Sequence, residues 1–349
     1  FYVWKKEDLK NIIGDDYNLF ARYFNVNPKG FWERGNYILL RDSSDEQFAN
    51  KKSFTTEQLQ IKVSQWKYAL LKEREKRVRP GLDDKTLTSW NALVIQGLAD
   101  AYKAFKEESF LLLAIKNATF LKNNQLNETG KLFHNWKAGA SSIDGFLEDY
   151  ALTIQAYLSL YEVTGEEDWL NMAEKLVAYT FIHFYNETKG LFYFSEENKN
   201  SILTNHFQNE DNVIPAANSV MANNLHRLYL ILGRPEYKTI LTKMLHYITP
   251  QFTKYPMAYA NWGRLMLKLT EPYFEVAICG INSNTFLNKM QSGYQPNILW
   301  TFSTLESKVP LLKDRFMVDK DLIYVCQEGV CQIPVKSVEE GLLLLSTNK

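Results

Sequence analysis

The sequence predicts a mainly α fold, an α/α toroid with a small α/β extension at its C-terminal end. Three observations predict it. Blocks of sequence recur 59 positions apart, and within each block a helix apolar nearly all round is followed by an amphipathic one. After Pro272 the periodicity changes from helical to strand-like.

Taken in order, residues 4–24 carry two short helical patterns broken at Gly14. A loop over 25–35 and a short strand over Tyr37-Ile-Leu-Leu40 follow. The next helix is expected from about Thr56 to Arg77, where Thr55 and Gln58 have the spacing of a capping box. The repeat begins beyond it. Leu121-Lys-Asn-Asn-Gln-Leu-Asn-Glu-Thr-Gly-Lys-Leu-Phe133 aligns with Phe184-Tyr-Asn-Glu-Thr-Lys-Gly-Leu-Phe192, so that Asn127 matches Asn186. Upstream of each, Lys106-Glu-Glu-Ser-Phe110 aligns with Gly165-Glu-Glu-Asp-Trp169, and Gly233-Arg-Pro-Glu-Tyr237 is a third, looser copy.

The first helix of each unit (88–105, 145–163, 216–232) is apolar on nearly every side and must be enclosed. The second is amphipathic. In 166–181, Trp169, Leu170, Met172, Ala173, Leu176 and Val177 oppose Glu166, Asp168, Asn171, Glu174 and Lys175. An enclosed helix alternating with an amphipathic one is what the inner and outer rings of a toroid require. Residues 257–269 supply a further inner helix. About four inner helices fall short of the six of a closed barrel, so the toroid is expected to be incomplete at its N-terminal side. Phe1-Tyr-Val-Trp-Lys-Lys likewise reads as the inside of a domain, with more chain expected upstream.

Residues 272–349 are expected to form the α/β appendage, packed on a barrel portion of 1–271. Its strands are expected at 274–279, 298–302 and 322–326, and its helices at 283–291 and 337–345.

Composition narrows the function. Lys+Arg and Asp+Glu both number 40, leaving no net field for nucleic acid or an anionic membrane. The basic run Lys72-Glu-Arg-Glu-Lys-Arg-Val-Arg79 contains glutamates and reads as a solvated helix face. No apolar run approaches the roughly 20 residues of a membrane helix. The three cysteines are all C-terminal and suit a reducing, cytoplasmic setting. Cys326 and Cys331 are expected to be paired free thiols across a hairpin. The five histidines lack metal spacing and no phosphate loop is present, so no metal or cofactor is expected. The 21 Phe, 20 Tyr and 8 Trp suit an aromatic core, or rings stacked on a ligand.

Polar residues gather where the inner helices begin. Before the first stand Asp83, Asp84 and Lys85, with Trp90 and Asn91 one turn in. The second opens with Asp144, Glu148, Asp149 and Tyr150, and the third with Glu210, Asp211, Asn218 and Ser219. Trp262 lies on the last. Helix-start carboxylates serve as caps or compensate the helix dipole, and Lys85 is expected to neutralise the Asp pair. Sugar chemistry needs a proton donor and a base, usually two carboxylates. Asp83, Asp84, Glu148 and Asp149 are therefore the candidate catalytic groups. Trp90 is read as a stacking platform or a packed core ring. Asn91, Tyr150, Asn218, Ser219 and Trp262 are candidate substrate contacts, or groups satisfying local backbone. His134 and His206, on loops before helix starts, stand within possible reach of a cavity.

The motifs Phe1-Tyr-Val-Trp4, Arg79-Pro-Gly-Leu-Asp-Asp-Lys-Thr-Leu-Thr-Ser-Trp-Asn91, Gly145-Phe-Leu-Glu-Asp-Tyr-Ala151, Ile214-Pro-Ala-Ala-Asn-Ser-Val220 and Tyr324-Val-Cys-Gln-Glu-Gly-Val-Cys-Gln-Ile-Pro334 span the chain. In this order they resemble the thioredoxin-fused proteins related to the spermatogenesis-associated protein. That resemblance implies a six-hairpin barrel similar to those of glycosidases and N-acylglucosamine 2-epimerases, preceded by a thioredoxin-like domain. It implies a carbohydrate-active enzyme of hydrolase or epimerase type acting on a sugar-like ligand. The alternative is a non-catalytic scaffold serving the upstream redox domain. Relatives often carry His where this chain has Gly81, so a histidine mechanism at that position is closed to it.

Overall fold

A computed structural model describes residues 1–52, 54–196 and 206–346. The chain divides into two compact units, Phe1–Asp83 and Asp84–Lys349. The boundary expected near 272 falls inside the second unit.

In the first unit a short strand β1 (Trp4–Lys5) pairs with β2 (Asn36–Tyr37), flanking α1 (Lys6–Ile13) and α2 (Tyr17–Tyr23). The strand expected over 37–40 shrinks to this pair. Helices α3 (Asp45–Asn50) and α4 (Thr56–Glu75) follow, and the Thr55/Gln58 capping box is formed. Trp4, Leu9, Phe20, Tyr23 and Trp66 are among its core residues. Asp16 sits beside this core, where hydrogen bonds from Lys62 and Trp66 outweigh burial and hold its carboxyl below the usual range.

The second unit opens with β3 (Thr86–Leu87) and then a series of helical hairpins. These are α5 (Thr88–Phe105) with α6 (Glu108–Asn124), α7 (Leu147–Thr164) with α8 (Glu167–His183), and α9 (Ala217–Leu232) with α10 (Pro235–Lys254). A lone α11 (Ala260–Thr270) completes the series. Between α6 and α7 run β4 (Asn135–Lys137) and β5 (Ala140–Ser141), and β6 (Tyr185–Asn186) pairs with β7 (Leu191–Phe192) after α8. Helix α5 packs on α7, α7 on α9 and α9 on α11, while α6, α8 and α10 back their partners. This is an arc of an α/α toroid.

The repeat explains the turns. Asn127 and Asn186 each accept backbone N–H groups of the following tight turn, at Thr129 and Lys131 and at Lys189 respectively.

Enclosure follows position in the arc. Fifteen of the eighteen residues of α7 and thirteen of the sixteen of α9 are buried. Helix α5, expected to be enclosed, buries only one face; Trp90, Val94 and Phe105 stand exposed. Among the described residues α7 and α9 have an inner neighbour on both sides, whereas α5 and α11 have one.

Residues 272–349 give β8 (Phe274–Cys279), α12 (Ser283–Met290), β9 (Ile298–Ser303), β10 (Leu322–Gln327), β11 (Val330–Cys331) and α13 (Val338–Ser346). Strand order is β11-β10-β8-β9, with β8 and β9 parallel and the other pairs antiparallel. This layer has its own apolar cluster around Val276, Ile278, Met290 and Ile323. It is tied to the helices by Ser307 Oγ donating to Glu167 at 2.6 Å and by Leu311 N–H donating to Ile231 O at 3.1 Å. Cys326 and Cys331 face each other across the β10–β11 hairpin and form a disulfide, correcting the expectation of free thiols. Direct cross-strand placement is what brings the two sulfurs together. Cys279 is buried and free.

Candidate functional site

The inner helices begin at polar clusters, as the sequence indicates, but most of those groups bond to the protein itself. Asp149 is fully buried at the third position of α7. One carboxylate oxygen accepts the Ser89 N–H at 3.0 Å, and the other accepts the Phe146 N–H at 2.9 Å. It therefore satisfies free N–H groups at the starts of two neighbouring helices, α5 and α7. Asp211 does the same for α9 and α11, accepting the Ala216 and Asn261 N–H groups at 2.8 Å each. Two carboxylates thus staple four helix starts together.

Asn218 is fully buried and bonds both the N–H and C=O of Phe192, holding the β6–β7 hairpin to α9. Ser219 donates to Ala216 O at 2.8 Å and accepts from Asn261 Nδ2. Trp262 donates its indole N–H to Asn209 O at 3.0 Å. Tyr150 accepts the Leu132 N–H at 2.8 Å and stacks on Tyr179, its ring wholly buried. Asn91 donates to Leu87 O. Trp90 is 62% exposed, neither packed in the core nor facing the cavity described below. Asp84 is an exposed partner of Lys137 at 2.5 Å, and that bond holds its carboxyl below the usual range. Asp83 is exposed and closes the first unit.

One group at these starts has a different environment. Glu148 is half-buried, and no described ion pair to Arg or Lys involves it. Burial, reinforced by the adjacent Asp149 charge, pushes its carboxyl above the usual range against the opposing pull of His134 and Ser89. His134 is placed by backbone bonds on both sides: its N–H reaches Ile143 O, and its C=O accepts the Thr88 N–H at the start of α5. Its Nδ1 lies 2.9 Å from Asp149. The Asp149 hydrogen bond outweighs burial and raises the imidazole above its ordinary value, favouring imidazolium. The nitrogen left to face a ligand is then Nε2. Phe146 packs edge-on against His134 and stacks on Phe194, which contacts His206.

Donor atoms of His134, Glu148 and Asp149 lie within 4.8 Å of one another, the one such grouping with metal-binding potential among the described residues. Both Asp149 oxygens already accept N–H groups, so the arrangement as folded is a hydrogen-bonded acid–base cluster.

A cavity lies elsewhere along the inner helices. It holds about 550 Å³ and is lined by all four inner helices and by the segment 291–296. Asp100 and Lys103 come from α5, Gln155 and Glu162 from α7, Asn224 and Arg227 from α9, and Arg264 and Lys268 from α11. None of the ten residues singled out in the sequence lines it. Glu148 precedes Gln155 by seven residues, so both project on one side of α7, about 10 Å apart along its axis. The missed residues carried a readable signal: Gln96, Asp100 and Lys103, like Gln155, Ser159 and Glu162, recur at helical spacing inside otherwise apolar helices.

Glu162 is buried between Arg227 at 2.5 Å and Lys103 at 3.0 Å. Burial alone would raise its carboxyl, but the two cations more than reverse that and keep it ionised. Lys268 is drawn down to about 8 by burial and by the neighbouring Arg227 and Arg264.

Residues 67–255 match the family model described as beta-L-arabinofuranosidase, GH127 catalytic domain. The chain belongs to this family. An uncharacterized protein of Caenorhabditis elegans is 27% identical over 372 residues, covering 97% of this chain and 51% of that protein. Spermatogenesis-associated protein 20 of Rattus norvegicus is 26% identical, covering 89% of this chain and 42% of that protein. The chain spans about half the length of the curated relatives it matches. Among solved structures, a GH76 alpha-mannanase of Bacteroides thetaiotaomicron is similar at 12% identity and TM-score 0.43, over 87% of this chain and 78% of that one. Cellobiose 2-epimerase of Bacillus thermoamylovorans is similar at 17% identity and TM-score 0.39, over 46% of this chain and 44% of that one. Within the GH127 catalytic-domain family, the match runs from within α4 through α10 and so contains the His134–Glu148–Asp149 cluster and the part of the cavity wall given by α5, α7 and α9, while α11 and the segment 291–296 lie beyond it.

Proposed function

We propose that this chain is the sugar-binding and catalytic part of a carbohydrate-active enzyme whose chemistry is proton transfer through Glu148, assisted by His134. Family membership supports the substrate class. The observation that carries the reaction type is the half-buried Glu148 carboxyl beside an imidazole already bonded to Asp149. A carboxyl raised toward neutrality is suited to take and return a proton at a carbon next to a sugar carbonyl. The imidazolium, with Nδ1 committed to Asp149, donates through Nε2 to the oxygen on which charge develops.

Hydrolysis through two opposed carboxylates is supported less well. Of the four expected acids, Asp84 is bonded to Lys137 and Asp149 to His134 and two backbone N–H groups. An epimerase or isomerase type of reaction therefore fits this site better than a glycosidase type.

The test uses the full-length protein with mono- and disaccharides in deuterated water, followed by NMR and reducing-end assay. Deuterium entering the carbon next to the carbonyl, lost in Glu148→Gln, is the expected result. New reducing ends without deuterium uptake would replace the reading with hydrolysis. Neither, with any sugar, would leave the domain as a scaffold for a partner such as an upstream thioredoxin-like domain.

A further inference from the structure

We propose that the sugar bound in this cavity carries a negative charge, a carboxylate or phosphate, held by Lys268 and Arg264. The inference rests on the sugar-active reading argued above, and it adds the substrate class.

The charge balance of the cavity leads to it. Its wall carries four cations, Lys103, Arg227, Arg264 and Lys268, against two carboxylates, Asp100 and Glu162. Both carboxylates already have partners in Lys103 and Arg227. Among the described hydrogen bonds Lys268 donates to Asn223 Oδ1, at 3.3 Å, and it lies near the Tyr273 ring; no described ion pair includes it. Arg264 reaches only Asn261 Oδ1, at 3.4 Å, among the described hydrogen bonds. Two positive charges are therefore left uncompensated within one concave wall. Lys268 is partly buried and Arg264 exposed, and an anionic ligand would be stabilised by both; burial first, and then the neighbouring Arg227 and Arg264, lower the affinity of Lys268 for its proton.

A second, independent observation from the same cavity points to hydroxyl groups on the ligand. Asn224 Oδ1, Gln291 Nε2 and Gln295 Oε1 are buried polar atoms of cavity-lining residues, without hydrogen-bond partners among the described residues. Two acceptors and a donor match the dual character of sugar hydroxyls. A bare anion would use the cations and leave these three atoms unused.

The experiment is calorimetric titration of the full-length protein with D-glucuronate, D-glucose 6-phosphate, D-glucose and inorganic phosphate. One of the two charged sugars is expected to bind at least about tenfold tighter than D-glucose, and which one does so separates carboxylate from phosphate. Lys268→Met is expected to bring that affinity to within about twofold of D-glucose, and Lys268→Arg to restore most of it, with circular dichroism confirming that both variants fold. Inorganic phosphate binding as tightly as the charged sugars would overturn the sugar part of the inference. Charged sugars binding no tighter than D-glucose would overturn all of it. Should D-glucose nonetheless exchange deuterium in a Glu148-dependent way, the acid–base reading would stand alone. Tight charged-sugar binding with no exchange on any sugar would uphold the charged ligand and overturn the acid–base chemistry.

Discussion

Glu162 is the anion on which the second unit's interior charge balance depends, and replacing it by Gln is the sharpest test of the packing described above. In the native fold Glu162 accepts from Arg227 at 2.5 Å and Lys103 at 3.0 Å, joining three inner helices, α5, α7 and α9. Arg227 is 9% exposed and Glu162 6%. Removing one partner of a buried pair leaves an uncompensated charge and costs about 3–5 kcal/mol. Here it leaves Arg227 without its anion and Lys103 with only the more exposed Asp100, at 3.3 Å, among the described ion pairs, with Lys268 adding to their field. In a unit of this size each kcal/mol moves the transition by roughly 2–4 °C, so Glu162→Gln is expected to lower the midpoint by roughly 6–20 °C. Circular dichroism of the full chain reads it directly. The sign with pH also follows. The Glu162 carboxyl is held below its unfolded value, so its stabilisation is present above about 4.5 and is lost as pH falls through the lower, folded value. Wild type is therefore expected to lose its advantage over the variant in acid. Replacing all three partners by apolar residues, as Lys103→Met, Glu162→Leu and Arg227→Met together, is expected to recover most of the loss. A midpoint shift under 2 °C for Glu162→Gln, or a triple variant no better than the single, would refute the reasoning.

Three further outcomes are expected. Glu148→Gln is expected to cut proton exchange by about 10²–10⁴-fold, while raising the midpoint at neutral pH by relieving about 0.5–2 kcal/mol of unfavourable burial; a lowered midpoint there would count against the strained-carboxyl picture. His134 has its folded value raised, so its contribution is fully present below about 6.5 and is lost as pH rises through the folded value. A pH series of melts on wild type and His134→Gln checks this: the difference between them is expected to shrink toward alkaline pH. Gly145→Ala places a Cβ 2.7 Å from the Leu132 carbonyl oxygen, a backbone atom that cannot swing aside. It is expected to cost about 1–3 kcal/mol in thermal melts and to weaken Glu148-dependent exchange, because the same turn sets the start of α7.

The sequence by itself determined the helical hairpins, their 59-residue repeat and the order of elements in the C-terminal layer. Those features are local: period, turn glycines and capping residues are read within one or two turns of chain. It also determined that polar residues gather at the starts of the inner helices. Tertiary structure decided what those residues do. Asp149, Asp211 and Asn218 are absorbed by backbone groups that lie 60, 50 and 26 positions away, across helix neighbours that no local pattern reveals. Trp90 illustrates the same limit, since its exposure depends on which helix stands beside α5. The pairing of Glu162 with Arg227 and Lys103, and the surplus of positive charge beside it, likewise arise only when α5, α7, α9 and α11 bring their polar stripes to one wall. Helical periodicity gives each stripe, but the sign of the field in the cavity is a sum over four helices, and only their assembly fixes it.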